Sequence, residues 1–285
     1  MTYNTPPDSI TIIAGWGLFP LLLARGARAA GVRHISMIGF KHSTYRATLK
    51  MADKARVVPF GNLEMLNIAL KETGCKNTFL SGQINPLALF RTRTDEGFKR
   101  EIGSIKIRHA HSLFLCFVEY LENMGANILP SSLFMGEHIP GAGILTKRKP
   151  DEREDDDMEY GNHIAQKIAD LDIGQSAAIK DGVVLAVEGF DGTNGAIKHA
   201  GRIARRGAVL SKVAKENHDM RFDIPIAGTK TIKAMRSAGF SAMSVQAHRT
   251  IIVNMEETVR LADKYGISIR SIQSPYPPAP IFDKP

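Results

Sequence analysis

The alternation of short apolar runs with helical patterns across residues 1–130 does most to limit how this chain can fold. Ile10–Ala14, His34–Gly39, Lys54–Phe60 and Asn77–Gly82 read as strands. Leu18–Ala30, stopped by Gly31, and Glu64–Thr73, stopped by Gly74, read as helices between them. A long helix, His109–Met124, and a strand, Ala126–Leu129, complete the series. Strand–helix–strand repetition needs crossover connections, so the strands should lie parallel with helices on their faces. The predicted class is α/β, with a Rossmann-like parallel sheet in an N-terminal domain spanning 1–130. Ligands bind beyond the carboxyl ends of such strands, which puts Gly15–Gly17 and Gly82–Asn85 on one rim.

Between Pro130 and Asp157 the composition shifts to glycine and proline, then to the charged run Lys147–Asp157. Residues 131–157 therefore read as a linker with an acidic, solvated end. The remainder, 158–285, starts afresh as a second α/β domain, with a ligand cleft expected between the two. Its helix Tyr160–Ala169 precedes two strands, Ser176–Ile179 and Val183–Glu188, joined by the turn Lys180-Asp181-Gly182. Strand and helix signals continue to Ile272, and the proline-rich tail Ser274–Pro285 reads as extended.

A length of 285 residues supports a well-buried core and two domains. No apolar run reaches the roughly 18 residues of a membrane span. Ile10–Ala24 is apolar, but no basic segment precedes it and Gly15 and Gly17 interrupt it, so a secretion signal is not indicated. Cys75 and Cys116 stand in no metal or redox spacing, which points to a reduced, cytoplasmic setting. The net charge of +8 favours anionic partners, and Lys198–Lys215 concentrates it in a run that reads as a solvated helix face. No interleaved aromatic and basic pattern is present, so nucleic acid is not an expected partner.

Several strings carry chemistry. Gly15-Trp16-Gly17 follows the first strand, yet the third glycine of a dinucleotide fingerprint falls at Pro20, and the second strand ends Gly39-Phe40-Lys41 without an acidic residue. What survives of a nicotinamide-reductase reading is a glycine turn that lets backbone approach a ligand. Asp172-Ile173-Gly174-Gln175 offers the Gln175 amide at the start of a strand. Val187-Glu188-Gly189-Phe190-Asp191-Gly192-Thr193-Asn194 brings two carboxylates and Thr193 to a strand end just before a helix. Arg221-Phe222-Asp223-Ile224-Pro225 reads as a short extended arm, because Pro225 pushes Ile224 away from helical geometry, and alternation puts Arg221 and Asp223 on one face. Glu188, Asp191 and Asp223 are three carboxylates of the type that hold a hard divalent cation.

In order and spacing these strings resemble the UDP-2,3-diacylglucosamine diphosphatase family of lipid A biosynthesis, in its two-domain, metal-dependent form. The match runs from Ile10 to about Ile272 and is carried by Ile13–Pro20, Ser81–Pro86, Asp172–Gln175, Leu185–Asn194 and Arg221–Gly228. The resemblance implies a hydrolase in which water attacks the α-phosphorus of a lipid-linked UDP-sugar, releasing UMP and the 1-phosphate of the diacylated glucosamine. It implies that Asp223 is catalytic and holds Mg²⁺ or Mn²⁺ with help from Glu188 and Asp191. It further implies that Gly17, Gly82, Gln83, Gln175, Thr193 and Arg221 face substrate, with the lipid product between the domains. The enzyme would be cytoplasmic and peripheral at an anionic inner-membrane surface; a homodimer is compatible with the sequence and not required by it. Two departures stand out: Asp191-Gly192-Thr193-Asn194 replaces a usual Glu-Gly-Thr-Asp, and Trp16 replaces a small residue. The alternatives are a lipid or nucleotide-sugar binder of the same fold, without turnover, and a nicotinamide-dependent reductase using the Gly15 turn.

Overall fold

A computed structural model describes residues 5–83, 94–103, 110–222 and 224–282. The chain divides into two compact units. The first comprises Met1–Gly136 with two later returns of the chain, Asp219–Asp223 and Pro280–Pro285; the second comprises Glu137–His218 and Ile224–Ala279.

The first unit is the predicted alternating series. In chain order it runs β1 (Ser9–Ala14), α1 (Phe19–Ala29), β2 (His34–Phe40), α2 (Arg46–Leu49), β3 (Lys54–Val58), α3 (Leu63–Thr73), β4 (Asn77–Ser81), α4 (Glu96–Gly103), α5 (Ala110–Asn123) and β5 (Asn127–Leu129). The five strands form one parallel sheet in the order β3-β2-β1-β4-β5, so the winding reverses between β1 and β4. Central strands buried on both faces read as near-continuous apolar runs, and β1 does so from Ile10 to Ala14. Pro20 sits in the first turn of α1, where its missing N–H costs no hydrogen bond. Gly74 ends α3 in the left-handed conformation, and Asn62 caps its start by accepting from Met65 N at 2.8 Å.

The two returns dock by aromatic contacts. Phe222, 2% exposed, stacks on Phe114 at 5.5 Å, and Phe282 packs on Phe134 at 4.9 Å. Backbone bonds from Ser131 N to Met220 O (3.0 Å) and from Phe282 N to Leu133 O (2.9 Å) fix their register.

The second unit contains β6 (Gly143–Ile144), α6 (Glu152–Asp170), β7 (Ser176–Lys180), β8 (Val183–Val187), α7 (Gly192–Ala204), β9 (Ala208–Lys212), β10 (Ile226–Ala227), α8 (Thr229–Ser237), β11 (Phe240–Gln246), β12 (Ile251–Ile252), α9 (Met255–Tyr265) and β13 (Ser268–Ile272). Its main sheet has the order β6-β13-β11-β9-β7-β8 and is mixed. β13, β11 and β9 are parallel, whereas β7 runs against both β9 and β8. The carboxyl ends of β8, β9, β11 and β13 and the amino end of β7 therefore share one edge. β10 and β12 form a separate parallel pair.

Two local expectations are corrected. The acidic stretch read as the solvated end of a linker is the start of α6, with Glu154 2% and Asp157 1% exposed. Asp151 and Glu154 close a capping box there, and each buried carboxylate has partners. Glu154 takes Arg148 at 2.8 Å, and Asp157 takes Arg153 at 3.0 Å and the backbone N–H groups of Asp181 (3.0 Å) and Gly182 (2.8 Å). Asp157 thus holds the β7–β8 turn. The predicted extended arm at Arg221 is instead a turn, because the Asp219 carboxylate accepts from the Arg221 backbone N–H at 3.0 Å and from its guanidinium at 2.7 Å. Among the described residues no helix is long and apolar enough to cross a membrane.

Candidate active site

In the second unit the shared sheet edge gathers a buried charged cluster. Glu188 follows the last residue of β8, Ser176 opens β7, Lys212 closes β9, and Thr193 lies in the first turn of α7. The Lys212 side chain is only 5% exposed and that of Glu188 15%. Lys212 Nζ lies 3.5 Å from Glu188 Oε2 and donates to Thr193 Oγ1 at 3.0 Å. Thr193 in turn donates to Glu188 Oε2 at 3.0 Å, and Ser176 Oγ donates to the same oxygen.

Burial alone would raise the Glu188 pKa. The Lys212 ammonium, the two hydroxyls and the backbone of Gln175 outweigh it and hold the carboxyl below its ordinary value. The Glu188 carboxyl is therefore ionised at neutral pH. Its consequence is geometric: Thr193 and Lys212 are locked at the amino end of a helix. Asp191, the N-cap of α7, makes no capping side-chain bond, so the first-turn N–H groups are not claimed by it. A buried ammonium beside such a helix end favours a phosphate or another anion.

Close packing against backbone requires glycine at Gly174. A Cβ on Gly174 would lie 2.3 Å from Glu188 O, and one on Gly195 would lie 1.8 Å from the Asp191 carboxylate. Asp191 is exposed and folds over that first turn. Behind the cluster, Lys215 pairs with Asp172 at 2.9 Å. Arg249, 2% exposed, donates to the carbonyls of Lys215 (2.6 Å), Glu216 (3.0 Å) and Pro277 (3.3 Å), which fixes the segment after β9.

The rim of the first unit is built from backbone. Gly15 N donates to Ser81 O at 2.7 Å, and Trp16 and Gln83 exchange two backbone bonds of 2.8 Å, lacing the loops after β1 and β4. Gly82, at φ +89°, permits this approach, since a Cβ there would lie 2.9 Å from both Gly15 C and Trp16 O. Gly17, at φ +107°, faces open space. Gln83 is exposed beside it. A small cavity of about 20 Å³ lies beneath, lined by Ile13, Gly15, Phe40, Leu80, Ser81, Gly82, Phe114 and Phe117.

The predicted site residues thus fall in three groups. Glu188 and Thr193 are in direct contact, with Gln175 joined to Glu188 through its backbone. Gly17, Gly82 and Gln83 share the glycine rim. Arg221 pairs with Asp219 at 2.7 Å and with Glu122 at 2.7 Å. Asp223 lies outside the described residues. Among those described, no three His, Cys, Asp or Glu residues cluster as a metal site. The oxygen of Glu188 that faces inward is already occupied by an ammonium and two hydroxyls. The described donors do not by themselves form a divalent-cation shell.

Sequence reasoning did not single out Lys212, which it left within the basic run Lys198–Lys215, read as a solvated helix face or as a source of charge to offset phosphate. α7 ends at Ala204, and Lys212 closes a fully buried strand. The signal was its setting in the apolar run Ala208-Val209-Leu210-Ser211-Lys212-Val213-Ala214, where a lysine needs a buried partner.

Residues 9–138 match the family model for the LpxI N-terminal domain, and residues 141–270 match that for the LpxI C-terminal domain. The chain belongs to the LpxI family. It is also 27% identical over 272 residues to the UDP-2,3-diacylglucosamine pyrophosphatase LpxI of Caulobacter vibrioides, a match that covers 92% of this chain and 96% of that protein. The glycine rim falls within the N-terminal family domain, and the Glu188–Lys212–Thr193 cluster within the C-terminal one.

Proposed function

We propose that this chain hydrolyses the diphosphate of UDP-2,3-diacylglucosamine, with water attacking the α-phosphorus to release UMP and 2,3-diacylglucosamine 1-phosphate. The observation that carries the reading is the buried Lys212 ammonium, held by Glu188 against Thr193 at the amino end of α7. Family membership and the name of the Caulobacter relative support the substrate.

Diphosphate cleavage asks little covalent chemistry of a protein. Placing the phosphates and neutralising the charge that moves to the leaving group supply most of the rate. In this reading Lys212 and Thr193 bind a phosphate oxygen, the α7 N–H groups add donors, and Glu188 is a positioning residue rather than a metal ligand. Gln175 and the Gly17 turn contact substrate. Asp223 is the proposed catalytic carboxylate, and Mg²⁺ or Mn²⁺ is proposed at it, with Asp191 as a further donor; the steps attributed here to Lys212, Thr193 and Glu188 do not depend on that ion. The net charge of +8 supports visits to the anionic bilayer that carries the substrate.

The test is release of UMP from the lipid-linked substrate by the full chain, with and without chelator. Asp223→Ala is expected to abolish release while the chain stays folded. Undiminished release by that variant would remove Asp223 from the mechanism, and no release by the wild type would remove the function.

A further inference from the structure

Most of the basic run that follows Thr193 has no acidic answer in the fold. α7 and the turn after it expose Lys198, Arg202, Arg205 and Arg206, and α8 exposes Lys230, Lys233 and Arg236. Neither helix contains an acidic residue. Among the described residues, Lys198, Arg202, Arg205 and Arg206 have no carboxylate partner. The carboxyl ends of the two helices meet: a Cβ on Gly201 would lie 2.6 Å from Ala238 Cβ, and Gly207 N donates to Gly239 O at 2.8 Å. The charges therefore form one surface and not two.

Helix dipoles account for only part of this. Arg205, Arg206 and Arg236 stand at carboxyl ends, where a cation is favoured. Lys198 in mid-helix gains nothing from the dipole, and Lys230 in the first turn of α8 opposes it.

The loops at the amino end of α7 are apolar instead. Leu171 is 70%, Ile173 51% and Phe190 74% exposed. They stand on two adjoining loops, before β7 and after β8, which touch where Gly174 meets Glu188 O. Carboxylates on these loops are engaged locally. Asp172 pairs with Lys215 at 2.9 Å, Asp170 accepts from Gln166 Nε2 (2.9 Å) and Glu216 N (3.1 Å), and Asp191 folds over the first turn of α7.

An apolar tip beside a basic stripe complements a bilayer with anionic headgroups, which takes up both. Nucleic acid would answer the cations but calls for rings interleaved with them, and here the apolar side chains stand apart at one end. Position weighs against a protein. Phe190 is three residues from Thr193, about 11 Å of chain at most, so a protein on the tip would cover the phosphate site. A bilayer brings the lipid-linked substrate with it. Side chains that enter the boundary between headgroups and acyl chains would hold Thr193 and Lys212 at headgroup level, where the diphosphate of such a substrate lies.

We infer that the outer face of α7 and α8, with the tip Leu171, Ile173 and Phe190, is the surface by which the second unit docks on an anionic phospholipid bilayer. The surface is argued from charge and exposure; its purpose rests on the diphosphatase reading.

The test is sedimentation of the full chain with vesicles of phosphatidylglycerol and phosphatidylethanolamine, and with vesicles of phosphatidylcholine, all free of lipid-linked UDP-sugar. The wild type is expected to bind the anionic vesicles and to leave them as salt rises. Each cation near an anionic leaflet is worth about fivefold in partitioning, so Arg202→Glu, Arg206→Glu and Lys233→Glu together should lower it about 100-fold. These side chains are exposed, and an unchanged circular dichroism spectrum checks that the variant is folded. Leu171→Ser with Phe190→Ser should lower partitioning about tenfold. Equal binding of the wild type to both vesicle types, or wild-type partitioning in the charge variant, overturns the surface. Undiminished partitioning in the apolar variant overturns the part given to the tip. Retention on soluble heparin without binding to vesicles overturns the bilayer in favour of an acidic macromolecule. UMP release from substrate in detergent micelles is measured separately. Its absence in the wild type overturns the diphosphatase reading, while vesicle binding that the charge variant loses still supports the docking surface.

Discussion

The two rims are held in shape by opposite means. In the first unit the loops after β1 and β4 are held by backbone hydrogen bonds, and the essential residues are glycines that let main chains meet. In the second, the edge between β8 and β9 is held by side chains, with Glu188, Lys212, Ser176 and Thr193 forming a buried ionic cluster. A backbone rim is shaped by what is missing from its residues, a charged rim by what its residues bring. They should therefore fail differently.

The largest effect is expected from Lys212→Met. On the proposed function this removes a buried donor to the reacting phosphate, so turnover should fall by about 10²- to 10³-fold. It should also destabilise the fold by about 3–5 kcal/mol, because Glu188 would be left buried without its cation. Adding Glu188→Gln should recover most of the denaturation midpoint but none of the turnover. Recovery of both would make the cluster structural and break the contrast.

Gly15→Ala and Gly82→Ala should each cost about 1–3 kcal/mol, since the new methyl meets backbone that cannot move aside. Turnover of whatever remains folded should fall with rim geometry. Gly17→Ala sharpens the point. With open space around it, only its φ of +107° resists the change, so a loss of about 1 kcal/mol is expected. If Gly17→Ala nonetheless impairs substrate KM more than stability, backbone approach to ligand at that turn is confirmed.

The smallest effect concerns acid. Glu188 is held below its usual pKa, so the stability its ionised form supplies is fully present above the unfolded value, near 4.3. It is lost as pH falls through the lower folded value. The stability gap between wild type and Glu188→Gln should be constant above about pH 5 and shrink below about pH 4. A gap independent of pH would show that Glu188 is not held ionised in the fold.

What was legible follows the same division. The glycine rim and the α/β alternation are local properties, written in Gly15-Trp16-Gly17 and in apolar runs such as Ile10–Ala14, and they were read nearly to the residue. The neighbourhood of Glu188 and Thr193 was legible as one string. Lys212 was not, because its burial is set by β7, β11, α6 and α7 packing around β9. Glu154 and Asp157 escaped for a related reason: their partners include Arg148, Arg153 and the amides of a turn some 25 residues away. The capping box Asp151–Glu154 was a local sign that a helix starts there, and it outranks the charge run as evidence. The turn at Arg221 was hidden behind Pro225, whose influence on Ile224 said nothing about Asp219.

The docking of Phe222 and Phe282 has a consequence for anyone who would cut this gene. Neither unit is a single uninterrupted stretch of codons: the first also takes in two short later pieces, Asp219–Asp223 and Pro280–Pro285. A fragment that stops after residue 136 would expose the faces of Phe114 and Phe134 that those returns cover, so the two family domains are separable in an alignment and not on a ribosome.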